Sequence, residues 1–182
     1  MERTEKEIVE DFINGGEESF NLIARIYQKK IYWHARRMLG NHDDADELTQ
    51  EVLIVMYKKL NTFRFDSSLM TWVFQITSNR AKNFLKRRTV RQFLRIDKQE
   101  VEHLQHDSDI IKNVEDREKV DNINYILHKL PVKQREVFVL RNFDQLSYTE
   151  ISQITGKTVG ALKANYYHAL QKVMELSNEF KK

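Results

Sequence analysis

The sequence predicts an all-α protein of two small helical domains joined by an acidic linker. Three observations carry that prediction. Turn formers are scarce, with five glycines and one proline in 182 residues, and no stretch sustains the alternation that strands require. Apolar residues recur instead at three- and four-residue spacing along several separate stretches. The charge also changes sign in blocks. Ser67 to Ile96 contains no acid but holds Arg80, Lys82, Lys86, Arg87, Arg88, Arg91 and Arg95. Asp97 to Glu118 is acidic apart from Lys98, Lys112 and Arg117, and Ile151 to Met174 is again free of acids. Basic, acidic, basic is the pattern expected of two phosphate-facing modules and a connector that avoids nucleic acid.

The elements follow in order. Ile8 and Phe12 mark a first helix, broken by Asn14-Gly15-Gly16, and Phe20, Ile23, Tyr27, Ile31, Ala35 and Met38 mark a second that ends at Gly40. A third helix is expected to begin near Asp43, whose carboxylate suits an N-cap. Its inward stripe is Ala45, Leu48, Val52, Val55, Met56 and Leu60. The loop Asn61 to Ser68 then leads to a fourth helix near Leu69, capped by a serine or aspartate and burying Trp72, Val73, Ile76 and Leu85. These four helices make a first domain over residues 1–93. Residues 94–118 form the linker, either a solvated tether or a partly ordered insert. In the second domain, residues 119–182, Pro131 marks a helix start because its missing N–H needs no partner there. That helix runs to about Arg141. Ser147 caps a short helix, Gly156 makes a turn, and Thr158 caps the last long helix.

Several function classes fall away. Without cysteine there is no disulfide, thiolate zinc site or thiol nucleophile. No G-x-x-x-x-G-K-[ST], G-x-S-x-G or H-E-x-x-H pattern occurs. His103 and His106 near Asp107 and Asp109 make a weak metal candidate, so neither a metal, a cofactor nor an enzyme is expected. Apolar runs are too short to insert in a membrane, and a charged N-terminus replaces the apolar core of a signal peptide, so a cytoplasmic location is expected.

Three faces remain. On the last helix, Val159, Leu162, Tyr166, Ala169, Leu170 and Val173 are expected to face the core, which turns Lys163, Ala164, Tyr167, His168 and Gln171 outward. Lysine can meet guanine or phosphate, tyrosine and alanine can contact thymine methyls, and histidine can bond a base edge. An amphipathic helix packed in a bundle shares this spacing. On the fourth helix, Gln75, Asn79, Lys82, Asn83 and Lys86 form a polar stripe beside Phe63, Arg64, Phe65, Asp66, Ser67 and Ser68. That loop has the aromatic and small polar groups needed to hold an unstacked base, though a basic solvated helix beside a structured loop fits too. On the third helix, Glu47, Gln50, Glu51 and Ile54 align as a negative patch with an aliphatic edge. Such a face suits a protein partner or plain solvent, not DNA.

With these residues in view, the chain resembles bacterial RNA polymerase sigma factors of the extracytoplasmic-function type. "ARRMLGNHDDADELTQEV" resembles the polymerase-binding helix of region 2, and "LNTFRFDSSLMTWVFQITSN" its −10-reading part. "LPVKQREVFVLRNFDQLSYTEISQITGKTVGALK" resembles the −35-reading helix-turn-helix of region 4. The resemblance implies that Glu47, Gln50, Glu51 and Ile54 dock on core RNA polymerase. It implies that Phe63, Arg64, Asp66, Ser67 and Ser68 shape a pocket for a flipped base, with Asn79 reading a base edge and Lys82, Asn83 and Lys86 tracking the backbone. Lys163, Ala164, Tyr167 and His168 would face −35 bases, with Arg141, Tyr148 and Thr158 near phosphates. An anti-sigma factor is implied as a further partner by the family alone. Two departures concern the promoter sequence read: Asn165 and His168 stand where family members commonly carry arginines, and Asn83 where an aspartate is frequent. The competing expectation is a stand-alone helix-turn-helix regulator with a sensor or dimerisation domain at its N-terminus.

Overall fold

The computed structural model describes residues 3–94 and 114–179. The described residues contain α-helices and one 3₁₀ turn and no strand. The helices are α1 (Glu5–Ile13), α2 (Ser19–Leu39), α3 (His42–Lys59), α4 (Leu69–Leu94), α5 (Val114–His128), α6 (Val132–Asn142), α7 (Tyr148–Thr155) and α8 (Val159–Glu179), with the 3₁₀ turn at Leu60–Thr62. The candidate metal residues His103, His106, Asp107 and Asp109 and most of the predicted linker lie outside the described residues.

Local chemistry sets the helix ends. Thr4 opens α1 with a capping box: its hydroxyl accepts from the Glu7 N–H while the Glu7 carboxylate accepts from the Thr4 N–H. Gly40 ends α2 at φ +93°, and its N–H bonds Arg36 O. A Cβ there would also run into the His128 ring, so glycine is required twice over. The cap of α3 differs from expectation. Asn41, not Asp43, holds the extended cap position, and its side chain accepts from the Asp44 N–H. Asp43 lies two residues on, within the first turn, where its charge still favours the positive helix end.

Helix α2 is the central column, packed against α1, α3, α4, α5 and α6. Tyr27, Ile31, Ala35 and Met38 from α2 meet Ala45, Leu48, Val52 and Met56 from α3 and Val73 from α4 in one buried core. That core continues into Leu127, Leu130, Phe138 and Val139 of the C-terminal helices. A second cluster unites Val137, Leu140, Leu146, Ile151, Ile154 and Leu162 with Phe74 of α4. The two helical halves therefore share apolar surface instead of keeping separate cores.

Polar groups fasten the same junction. The Arg135 guanidinium, almost fully buried, donates to Met38 O at 2.6 Å, His128 O at 3.2 Å and Leu130 O at 3.3 Å. It thereby satisfies carbonyls at the C-terminal ends of α2 and α5, where a cation also meets the negative helix end. Burial, with Arg88 nearby, lowers the Arg135 pKa to about 10, still charged at neutral pH.

Candidate nucleic-acid interface

The helix-turn-helix is built from α7 and α8. Ser147 and Glu150 form a capping box on α7, and the Ser147 hydroxyl and N–H hold the Glu150 carboxylate below its ordinary pKa. Gly156 takes the left-handed turn at φ +70°. Thr158 Oγ1 then accepts from the Ala161 N–H to start α8. Leu162 and Ala169 are buried and Tyr166 is half-buried, with its hydroxyl donating to Asn142 Oδ1 at 3.1 Å. Two residues expected in the core are exposed instead: Val159 at 37% and Leu170 at 36%. Val159 is the first residue of α8. Leu170 falls beside the stripe that Leu162, Ala169 and Leu176 define.

Lys163, Ala164, Tyr167, His168 and Gln171 all project outward as one face. Gln171 Nε2 donates to the Tyr167 hydroxyl at 2.8 Å, which steadies the largest side chain of that face. Asn165 is spent locally, donating to Ala161 O at 2.7 Å. At the edge of α7, the Tyr148 ring has the Arg141 guanidinium 5.4 Å and the Lys163 ammonium 5.9 Å from its centroid. Arg141 also donates to Leu146 O at 3.1 Å. Two cations around one ring form a basic corner beside the outward face of α8.

In the loop before α4, Phe63 is buried, with its centroid 5.5 Å from that of Trp72 and 4.8 Å from that of Phe65. Phe65 sits at φ +59° and is 40% exposed, so it is the aromatic surface that a base could reach. The sequence reading counted both rings in the loop, while the resemblance named Phe63 and not Phe65 for the pocket. The signal was the pair of aromatics two residues apart, which lets one anchor the loop while the other faces out, but alternation does not say which. Arg64, Asp66 and Ser68 are exposed around this ring, and Ser67 is half-buried. Ser68 caps α4 by accepting from the Thr71 N–H at 3.1 Å.

Along α4, Gln75, Asn79, Asn83 and Lys86 are exposed in one stripe. Lys82 departs from it. Its ammonium lies 3.1 Å from Glu136 of α6, a carboxylate only 1% exposed. Glu136 also meets Lys157 of the helix-turn-helix at 3.3 Å. On α3, Glu47 and Gln50 are exposed, Ile54 is 54% exposed, and Tyr57 extends the apolar edge. Glu51 is half-buried and accepts from Arg80 at 2.8 Å, which ties the acidic face of α3 to the basic helix α4. Among the described residues, no group of three or more acids and histidines is arranged to hold a metal ion, and no helix is long and apolar enough to cross a membrane.

Comparison with known proteins fits this geometry. The Sigma-70 region 2 family model matches residues 23–91, and the Sigma-70 region 4 model matches residues 121–173. The chain is 30% identical over 181 residues to the ECF RNA polymerase sigma-E factor of Escherichia coli K12, covering 93% of this chain and 92% of that one. It is 29% identical over 174 residues to the ECF RNA polymerase sigma factor SigW of Bacillus subtilis, covering 92% and 93%. Its fold is similar to that of the sigma factor RpoE solved with the anti-sigma factor NepR from Bartonella quintana, at TM-score 0.71 and 22% identity over 88% of this chain and 98% of that one. It is likewise similar to CnrH solved with the cytosolic domain of CnrY, at TM-score 0.72 and 18% identity over 94% and 96%. Region 2 on α2 to α4, region 4 on α5 to α8, and a near-full-length relative at 30% identity place this chain among the extracytoplasmic-function sigma factors of bacterial RNA polymerase.

Proposed function

We propose that this protein is a promoter-specificity subunit: it binds core RNA polymerase, recognises −35 and −10 elements and promotes transcription initiation, with no catalysis of its own. The observation that carries this reading is the coexistence of two separate acid-free polar faces on one chain. One is the α4 stripe, which lies beside the aromatic loop; the other is the outward face of α8. The α8 face, with Lys163, Ala164, Tyr167 and His168, contacts −35 duplex, while Arg141, Tyr148 and Thr158 meet phosphates at its edge. Phe63 supports the loop, and Arg64, Phe65, Asp66, Ser67 and Ser68 surround a flipped base whose edge Asn79 reads. Lys82, Asn83 and Lys86 follow the adjoining backbone. Unstacking that base costs a few kcal/mol, which polymerase contacts and the pocket must offset.

The polymerase contact falls to Glu47, Gln50, Glu51 and Ile54, since an acidic patch with an apolar edge repels DNA and suits a basic protein surface. The protein acts where its polymerase is, in the cytoplasm. Two similar folds were solved with an anti-sigma factor or the cytosolic domain of a partner, which supports an inhibitory protein partner here as well. A stand-alone regulator gives no reason for the α4 stripe beside an aromatic loop. Two variants separate the roles in a reconstituted complex. Asn79→Ala should leave polymerase binding intact and reduce permanganate reactivity of melted promoter thymines. Glu51→Lys should weaken polymerase binding itself. Loss of polymerase binding by Asn79→Ala with none by Glu51→Lys would reverse the assignment.

A further inference from the structure

Helix α1 carries none of the faces assigned above, yet it stands against the loop that offers Phe65. It packs on the 3₁₀ turn Leu60–Thr62, which leads into that loop. The Lys6 ammonium lies 5.9 Å from the centroid of the Phe65 ring. Residues on either side of Lys6 fix this placement. Glu5 accepts from the Tyr27 hydroxyl at 2.9 Å, and Ile8 and Val9 are buried in the core. The capping box of Thr4 and Glu7 holds the first turn. Lys6 is left facing solvent beside the loop, with its side chain 70% exposed.

The contacts of Lys6 in the free protein are weak ones. Its ion pair with Glu10, at 3.7 Å between exposed side chains, is screened by solvent. A cation beside a solvated ring gains little more. The other acids of α1 are committed elsewhere: Glu5 to Tyr27, Glu7 to the Thr4 N–H, and Asp11 to Arg3 and Ser19. On the loop, the exposed Arg64 and Asp66 flank Phe65 and cancel in charge. Lys6 therefore brings a net cation on a flexible four-carbon stem to the edge of an exposed aromatic surface. Single-strand binders combine the same two parts, a ring on which a base stacks and a cation for the backbone that carries it.

We propose that Lys6 of α1 binds a phosphate of the nucleotide whose base stacks on Phe65, so that α1 is part of the −10 site. The inference rests on the flipped-base reading above and gives that site a residue from outside the loop and α4. Phe65 takes the face of the base, and Lys6 exchanges Glu10 for the phosphate attached to it. A lysine there is a point charge that any sequence satisfies. It adds affinity for the captured strand without changing which base is preferred.

The test uses holoenzyme assembled from core polymerase and this protein, with a fluorescent single strand carrying the nontemplate −10 sequence and binding read by anisotropy. Lys6→Ala should weaken binding roughly five-fold at about 0.1 M salt and flatten the dependence of log K on log salt by about 0.7, one single-strand phosphate contact. Lys6→Arg, which keeps the charge, should restore both. Two further strands carry a neutral methylphosphonate in place of the phosphate on one side or the other of the captured base. On one of them, wild type and Lys6→Ala should bind equally. Lys6→Ala binding the unmodified strand like wild type would overturn the proposal, as would a loss that persists at full size on both modified strands. A strand with the −10 sequence scrambled checks the reading beneath it. If wild-type holoenzyme binds that strand as tightly as the −10 strand, base capture itself is wrong and the role of Lys6 falls with it. If it discriminates between them while Lys6→Ala matches wild type, base capture stands and the role of Lys6 alone is refuted.

Discussion

Asn79 presents an uncharged amide from a helix whose other exposed residues include Lys86 and Arg87. Charge there holds any backbone, whereas an amide can discriminate a base edge. The same division applies to α8. Lys163→Ala should weaken holoenzyme binding to all promoters alike and flatten the dependence of log K on log salt by about 0.9, one phosphate contact. Substituting Tyr167 or His168 should instead change which −35 bases are preferred, as read from a library of mutated promoters. At the turn, Ser147→Ala removes a cap acceptor from α7 and should cost about 1 kcal/mol in urea unfolding. Side-chain identity was enough to nominate most of these residues. It was not enough to place Lys82, because only the packing of α6 reveals that a buried carboxylate holds it.

Helices are the scale at which sequence and structure agree best, and the reason is local. Capping at Ser147, the left-handed turn at Gly156 and the cap at Thr158 depend on residues within a few positions, so the boundaries of α7 and the start of α8 were legible. Asn41 and Asp43 are both good caps, and only the backbone conformation chooses between them. Phe74 shows the opposite case. Its burial comes from α7 and its neighbours, more than sixty positions along the chain, and no local pattern carries that contact. Arg135 is similar: a single arginine on α6 satisfies carbonyls of α2 and α5. Arg135→Met would leave those buried acceptors without a donor and should cost about 3 kcal/mol in equilibrium unfolding. An exposed lysine such as Lys133 changed to Met should cost far less.

Across the whole molecule, the junction between the helical halves carries a pH dependence. His128 packs against Gly40, and burial, then Arg135, Arg88 and Arg36, lower its pKa from 6.5 to about 4. The unfolded chain binds the proton more readily than the folded one, so stability rises with pH across this range. Its contribution is complete above pH 6.5 and is lost as pH falls toward 4. His128→Gln should flatten the profile of melting temperature between those limits. Function needs both halves on one promoter, and that is the central claim. It is tested by run-off transcription from a linear template carrying a cognate promoter, with core polymerase and this protein added separately and together. The account predicts product only when both are present, and its loss when either the −10 or the −35 element is scrambled. Tight, sequence-specific duplex binding by the protein alone, with no change in transcription by added core polymerase, would contradict it.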